Sequence, residues 1–273
     1  MRHFLATTVV LLLLALSGSG FAANISDNFE SYAIGTFPSP TWTDLQAIFP
    51  DPHTPVPSAT VVSTTDAFGH ATQALTLANS PSPNRGILAP VPVSGFYTMS
   101  GDIRVDQYSD HPLNYASDFP MEMGFVNTTS PNVCCAPSAG IYASSQLGTW
   151  RVFVNTRADV IADFDLGVPA TLGTWYTLQF SFSLATSTIH SVIVDTATGT
   201  VLVNQFDFVP GMDLAATGYN AIGYFGSDPI GFGDTIGDVG TVDNASGTTT
   251  PEPTTFLLIG SGLSLLAARL RKP

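Results

Sequence analysis

Apolar and polar residues alternate along much of the middle of this chain, the period of a half-buried β-strand. The pattern is cleanest from Trp175 to Ser183 (WYTLQFSFS), where Tyr176, Leu178, Phe180 and Phe182 fall on one face. Ile189 to Asp195 (IHSVIVD) continues it, the turn Thr196-Ala197-Thr198-Gly199 follows, and Thr200 to Phe208 reads as a third strand. Gly199 suits a turn position with positive φ. Three strands joined by short turns predict a meander, the local unit of an antiparallel sandwich. Phe96 to Tyr108, Trp150 to Asn155 and Tyr219 to Phe225 add further aromatic and β-branched stretches with partial alternation. Helical spacing is absent outside the two ends of the chain.

Both ends carry apolar runs. Arg2 and His3 precede Val9 to Leu16, a run of signal-peptide length, and Gly20-Phe21-Ala22 supplies small residues for signal peptidase. Cleavage after Ala22 or Ala23 is expected, making residues 1–23 a signal peptide; a membrane helix over Met1 to Leu16 is the alternative, for which the run is short. At the other end Pro251-Glu252-Pro253 leads directly into Thr254 to Ala268 (TTFLLIGSGLSLLAA), followed by Arg269, Arg271 and Lys272. The basic end stays cytoplasmic, because Lys and Arg are costly to carry across a bilayer, so the folded part lies outside. At about 1.5 Å per residue the run reaches about 22 Å, short of the roughly 30 Å hydrocarbon core, which makes a removable tail a better reading than a permanent anchor. Short polar motif, short apolar helix and basic end, in this order, resemble the PEP-CTERM signal of Gram-negative bacteria. That resemblance implies insertion of the precursor in the inner membrane through residues 254–273, processing by an exosortase, and delivery to the cell surface or the extracellular polysaccharide matrix.

Between the ends, residues 24–247 are long enough for one large all-β domain or two small ones, and because no Pro/Gly/Ser-rich linker interrupts them one domain is expected. The obvious linker is Ala245 to Thr250, and residues 248–253 read as a linker carrying the PEP motif. The whole chain has a formal net charge of -13. The central segment contains only Arg85, Arg104, Arg151 and Arg157 as cations, no Lys, and Glu30 and Glu122 as its Glu residues amid scattered Asp. Nucleic acid and anionic membrane surfaces depend on basic patches and are excluded as partners.

Asp27-Asn28-Phe29-Glu30-Ser31-Tyr32, then Gly35, Phe37-Pro38 and Trp42, resemble the opening of concanavalin A-like or laminin-G-like jelly-roll domains. Trp175 to Gly199 resembles their middle and Thr241-Val242-Asp243-Asn244 their last strand. The resemblance implies an antiparallel β-sandwich whose first and last strands are neighbours. Asp27 and Glu30 could then approach Asp243 and hold a structural calcium ion, which selects hard oxygen ligands. Asp27 as a turn cap and Asp243 as a solvated carboxylate form the alternative.

Catalytic signatures are missing. The paired carboxylates of glycoside hydrolysis need two acids at matched positions, and nothing acidic stands at such spacing from Glu122, which reads as an exposed or hydrogen-bonded strand residue. No Gly-x-Ser-x-Gly elbow lies in the central segment, and His53, His70, His111 and His190 lack zinc-ligand spacing. Cys134 and Cys135 are adjacent, and in an exported chain they can form a strained vicinal bridge, stay reduced, or bridge two molecules. Asp106 to Pro120 is a polar stretch after a strong strand, and Tyr108, Asp110, Asn114, Tyr115 and Asp118 are its carbohydrate-binding candidates, pairing flat rings with hydrogen-bonding groups. Trp42, Trp150 and Trp175 are expected in the core. The expectation is an exported, non-catalytic sandwich that binds or organises extracellular polysaccharide; the alternatives are a structural matrix protein without a discrete ligand and a degenerate glycosidase or lyase.

Overall fold

A computed structural model describes residues 23–50, 57–77, 82–109, 119–129, 138–156, 160–212, 217–228 and 237–250. Residues 1–22 of the expected signal peptide, the tail from Pro251 onward, Cys134 and Cys135 therefore lie outside the described residues, as do Asp110, Asn114, Tyr115 and Asp118. Among the described residues there are fifteen strands: β1 (Ala23–Asp27), β2 (Thr43–Asp44), β3 (Ala59–Thr65), β4 (Ala71–Leu77), β5 (Ser82–Pro90), β6 (Phe96–Gln107), β7 (Phe119–Val126), β8 (Ser138–Ala143), β9 (Thr149–Asn155), β10 (Val160–Pro169), β11 (Trp175–Ser183), β12 (Thr188–Asp195), β13 (Thr200–Phe208), β14 (Ala221–Asp228) and β15 (Val239–Thr250). They form two antiparallel sheets. One runs β13-β12-β11-β6-β15-β4-β3, with β1 also paired to β15; the other runs β10-β9-β8-β7-β14-β5-β2. This is the expected two-sheet sandwich. Among the described residues no helix is long and apolar enough to cross a membrane.

The meander β11-β12-β13 begins and ends as the alternation predicts. Leu178, Phe180 and Phe182 of β11 and Ile189 and Ile193 of β12 point into the space between the sheets and are buried. Facing them are Met121, Met123 and Phe125 of β7 and Ile141, Val152 and Val154 of β8 and β9. Burial of a side chain of this size contributes about 1.5–3 kcal/mol. Rings dominate one end of the core, where Tyr97 stacks on Phe182 with centroids 4.6 Å apart and meets Phe125 edge-on at 5.1 Å. Two buried tyrosine hydroxyls are satisfied: Tyr97 donates to the Tyr219 carbonyl at 2.9 Å, and Tyr224 reaches across the sandwich to the Ser100 carbonyl at 2.8 Å. A methyl group at Gly101 would lie 2.7 Å from the Tyr224 hydroxyl, so this crossing requires glycine there.

Two local readings are revised. Tyr219 and Asn220 precede β14 instead of belonging to it. Ala245 to Thr250, read as linker, is the second half of β15, pairing with both β1 and β6. Its Ser, Gly and Thr residues look like linker by composition, but the ladder is made by backbone groups, and a central strand supplies partners on both sides. Among the described residues one single-turn helix, α1 (Leu45–Ile48), interrupts the all-β pattern. Asp44 caps it, accepting from the Gln46 amide at 2.9 Å.

Candidate functional site: an acidic cleft on the larger sheet

The outer face of the eight-stranded sheet is polar at its centre because strand alternation sends Asp102 and Arg104 of β6, Thr177 of β11 and Asp243 of β15 away from the core. Register places Thr177, Asp102 and Asp243 side by side across three strands. Two carboxylates thus sit directly opposite one another, an arrangement that destabilises a sheet unless something compensates. The compensation is partly local. Thr177 donates its hydroxyl to Asp102 at 2.5 Å, and the Asn244 side-chain amide donates to the other Asp102 oxygen at 2.8 Å. Asn244 occupies the left-handed region (φ 50°) in a bulge, where β15 uses three residues to pass two of β6. Its backbone N–H donates to Asp243 at 2.7 Å.

Asp243 is 5% exposed. Burial pushes its carboxyl up to about 6, against the lowering by the Asn244 and Thr72 hydrogen bonds; the nearby Asp102 and Glu30 charges push in the same direction as burial. Thr72 of β4 links two acids, its hydroxyl lying 2.7 Å from Glu30 and 3.2 Å from Asp243. Glu30 also accepts from the Gln73 amide at 2.8 Å, and the Thr72 and Gln73 hydrogen bonds hold its carboxyl below the usual range.

A shallow cleft of about 80 Å³ opens above these groups. Asp102, Asp243 and Asn244 form its floor, and Thr196 of the β12–β13 turn and Trp175 of β11 form one side. The β3–β4 turn, at whose base Thr65 accepts from the Trp175 indole, contributes Asp66, Ala67 and Phe68. Asp66 builds that turn by accepting from the backbone amides of Phe68 and His70, both at 2.8 Å, and its second oxygen meets the His70 ring at 3.1 Å. Phe68 is left 64% exposed. Trp175 is fixed: its indole donates to the Thr65 carbonyl at 2.9 Å, and the Arg104 guanidinium lies 4.7 Å from its ring centre. Arg104 is itself paired with Asp106. The cleft therefore offers an exposed ring, a wall of indole, carboxylates, an amide and a hydroxyl.

The residues expected to hold calcium do not converge as a set. Asp27 is committed to the turn after β1, accepting from the Phe29 amide (2.8 Å), the Tyr32 hydroxyl (2.7 Å) and the Trp42 indole (2.9 Å). Glu30 and Asp243 do approach one another through Thr72. Among the described residues no group of three or more His, Cys, Asp and Glu side chains is placed to hold a metal ion. Tyr108 has a structural duty, since its hydroxyl donates to the Ala170 carbonyl. Trp42 and Trp150 lie in the core, as expected, whereas Trp175, also buried, lies on the outer face beside Arg104 and lines the cleft. Asp66, Phe68, Asp102 and Asn244 were not anticipated; the pairing of Asp102 with Asp243 is a matter of register, which composition does not reveal.

Glu122 differs from its sequence reading as well. It lies on the outer face of the seven-stranded sheet, yet it is only 6% exposed and its Oε1 has no hydrogen-bond partner. The paired glycines Gly124 and Gly140 leave the space it fills: a methyl group on either would lie 3.1 or 3.0 Å from Oε1. Burial pushes this carboxyl up to about 7. The cation two strands away, Arg151, is engaged by Asp163 at 2.9 Å and by the Tyr142 hydroxyl at 3.0 Å.

Comparison with known proteins bears on the fold and on the tail. The structure is similar to basic winged bean lectin solved with Tn-antigen (TM-score 0.53, 14% identity, 85% of this chain and 100% of that one). It is also similar to Lotus tetragonolobus seed lectin (0.51, 9%, 85% and 100%) and to peanut lectin solved with a 9mer peptide (0.50, 13%, 84% and 98%). At these identities the likeness is one of fold. No curated protein matches the sequence. Residues 249–272 match the PEP-CTERM protein-sorting motif, which implies export, surface sorting and processing by an exosortase. The chain is thus a legume-lectin-like antiparallel β-sandwich that carries a PEP-CTERM sorting motif at its C-terminus.

Proposed function

We propose that this is a non-catalytic surface protein that binds extracellular polysaccharide in the cleft between the β3–β4 turn and the β12–β13 turn. The observation that carries the reading is the cleft's composition. An exposed Phe68 ring lines the cleft together with Thr196, Asp102, Asp243 and Asn244. Apolar sugar faces pack on rings, while sugar hydroxyls donate to carboxylates and accept from the amide, and a few convergent polar groups fix orientation. The sorting motif supports the same reading by directing the protein to the surface, where polysaccharide is the abundant polymer.

Calcium enters this reading in a narrower form than the sequence suggested. Glu30 and Asp243, which share the Thr72 hydroxyl, supply the hard oxygens, and an ion there would take over the charge balance that a proton on Asp243 otherwise provides.

A glycan array probed with the mature protein tests the proposal. Binding to a defined set of oligosaccharides that is weakened by Phe68→Ala is expected. Silence across the array would favour a structural role in the matrix, and turnover of a polysaccharide would replace the binding reading with an enzymatic one.

A further inference from the structure

The described side chains that line the cleft accept hydrogen bonds and have almost no hydrogen left to give. Thr177, beneath the cleft, gives its hydroxyl hydrogen to Asp102 at 2.5 Å, so Thr196 is the donor in its 3.0 Å contact with Thr177. The Trp175 indole is committed to the Thr65 carbonyl, and Asn244 has given one of its two amide hydrogens to Asp102. Against these stand the carboxylates of Asp66, Asp102 and Asp243, each oxygen of which can accept twice.

The imbalance is sharpest at Asp243, which is 5% exposed. Among the described residues its Oδ2 is met by the Thr72 hydroxyl alone, at 3.2 Å. A hydroxyl carries one hydrogen, and Thr72 also lies 2.7 Å from Glu30, so the nearer acid takes it. Asp243 Oδ2 is therefore a buried acceptor without a donor, a state that costs free energy until something supplies one. Asp102 stands directly opposite on β6, where like charges repel. Among the described residues no Lys or Arg lines the cleft to relieve them: Arg104, beside Trp175, is paired with Asp106, and the His70 ring lies against Asp66.

We propose that the cleft selects a polysaccharide carrying free amino sugars, with the ammonium group held between Asp102 and Asp243 and beside the Phe68 ring; the proposal rests on the reading of the cleft as a polysaccharide site. An ammonium is all donor, with three N–H groups and no lone pair. It supplies the hydrogen that Asp243 Oδ2 lacks, and its charge offsets the repulsion between the two acids. Phe68, 64% exposed, offers a ring face that attracts a cation. The same groups disfavour other sugars. A uronate would add a further carboxylate to Asp66, Asp102 and Asp243. An N-acetyl group removes the positive charge, keeps one donor and adds a carbonyl acceptor to a cleft already rich in acceptors. The net charge of -13 draws a cationic polymer from a distance and repels an anionic one.

Titration calorimetry of the mature protein, in chelator so that calcium does not occupy the acids, compares a chitosan oligosaccharide with the same oligosaccharide fully N-acetylated. Charge-assisted hydrogen bonds to the ammonium should make the free amine bind about tenfold more tightly or better. Asp102→Asn keeps the shape and removes a repulsion, so its melting temperature should not fall, and it should collapse the preference. Equal affinities, or tighter binding of the N-acetylated form, would overturn the proposal and leave the polysaccharide reading in place. A preference that survives Asp102→Asn would overturn it as well, because attraction to the acidic chain as a whole would then account for it. The exopolysaccharide of the protein's own cell, sedimented with the protein before and after treatment with acetic anhydride, gives the same comparison on the polymer. Acetylation of its amines should release the protein; undiminished binding would overturn the proposal alone, and binding to neither the oligosaccharides nor the polymer would contradict the polysaccharide reading with it.

Discussion

Replacing Glu122 by Gln removes a charge while keeping shape, and its effect on stability should depend on pH in a way set by burial. The folded protein holds the Glu122 proton to about 7, whereas the ordinary value is 4.5. Between those limits the folded state binds more protons than the unfolded one, so stability falls as pH rises through this window and is level outside it. At about 1.4 kcal/mol for each tenfold change in proton affinity, the loss is about 3 kcal/mol. The Gln variant lacks this loss. Its own cost, a buried amide over Gly124 and Gly140, is the same at every pH, so the informative quantity is how the difference between the two proteins changes. Urea denaturation at pH 5 and pH 8 measures most of it: the variant should gain about 2.5 kcal/mol on the parent between the two, equivalent to roughly 5–10 °C in melting temperature for a domain of this size. A difference that stays constant from pH 5 to pH 8 would refute the reasoning, showing that the carboxyl ionises in the folded protein as it does in water.

Other outcomes follow from the termini and the acids. Intact mass of the surface protein should correspond to a chain without residues 1–22 or 1–23 and without the apolar tail from Thr254, and changing Pro251, Glu252 and Pro253 to Ala should hold the precursor in the membrane fraction; a dominant mature form retaining the tail would contradict exosortase processing. Calcium at about 100 times its dissociation constant should stabilise the fold by about 2.7 kcal/mol, roughly 5–10 °C in melting temperature, and Asp243→Ala should abolish the shift. Equal melting in calcium and in chelator would remove the ion from the account. Alkylation without reductant should leave Cys134 and Cys135 unmodified if they bridge one another, and labelling of both would contradict that bridge.

The sandwich was legible because its strands are half-buried and period two is written into them, most plainly at Leu178, Phe180 and Phe182. The polar end of β15 was not legible. Ser246 and Gly247 lack strand composition, yet β1 and β6 on either side recruit them through backbone hydrogen bonds. The site was half legible. Asp243 and Glu30 stood out as acids near the two ends of the domain, but Asp102 became part of the site only through the β6–β15 register, and Phe68 only through the turn that Asp66 closes. Glu122 reads as a surface acid because no local signal marks a facing glycine on the next strand as the floor of its seat.

The binding claim is tested most directly by co-sedimentation of the mature protein with the exopolysaccharide of its own cell, comparing the parent with Phe68→Ala and Asp102→Asn. Phe68 is exposed, so its replacement should leave the melting temperature unchanged. The account predicts that the parent pellets with the polymer in a saturable way and that both variants stay largely in the supernatant. A parent that never pellets, or variants that bind as well as it does, would contradict the assignment of the cleft.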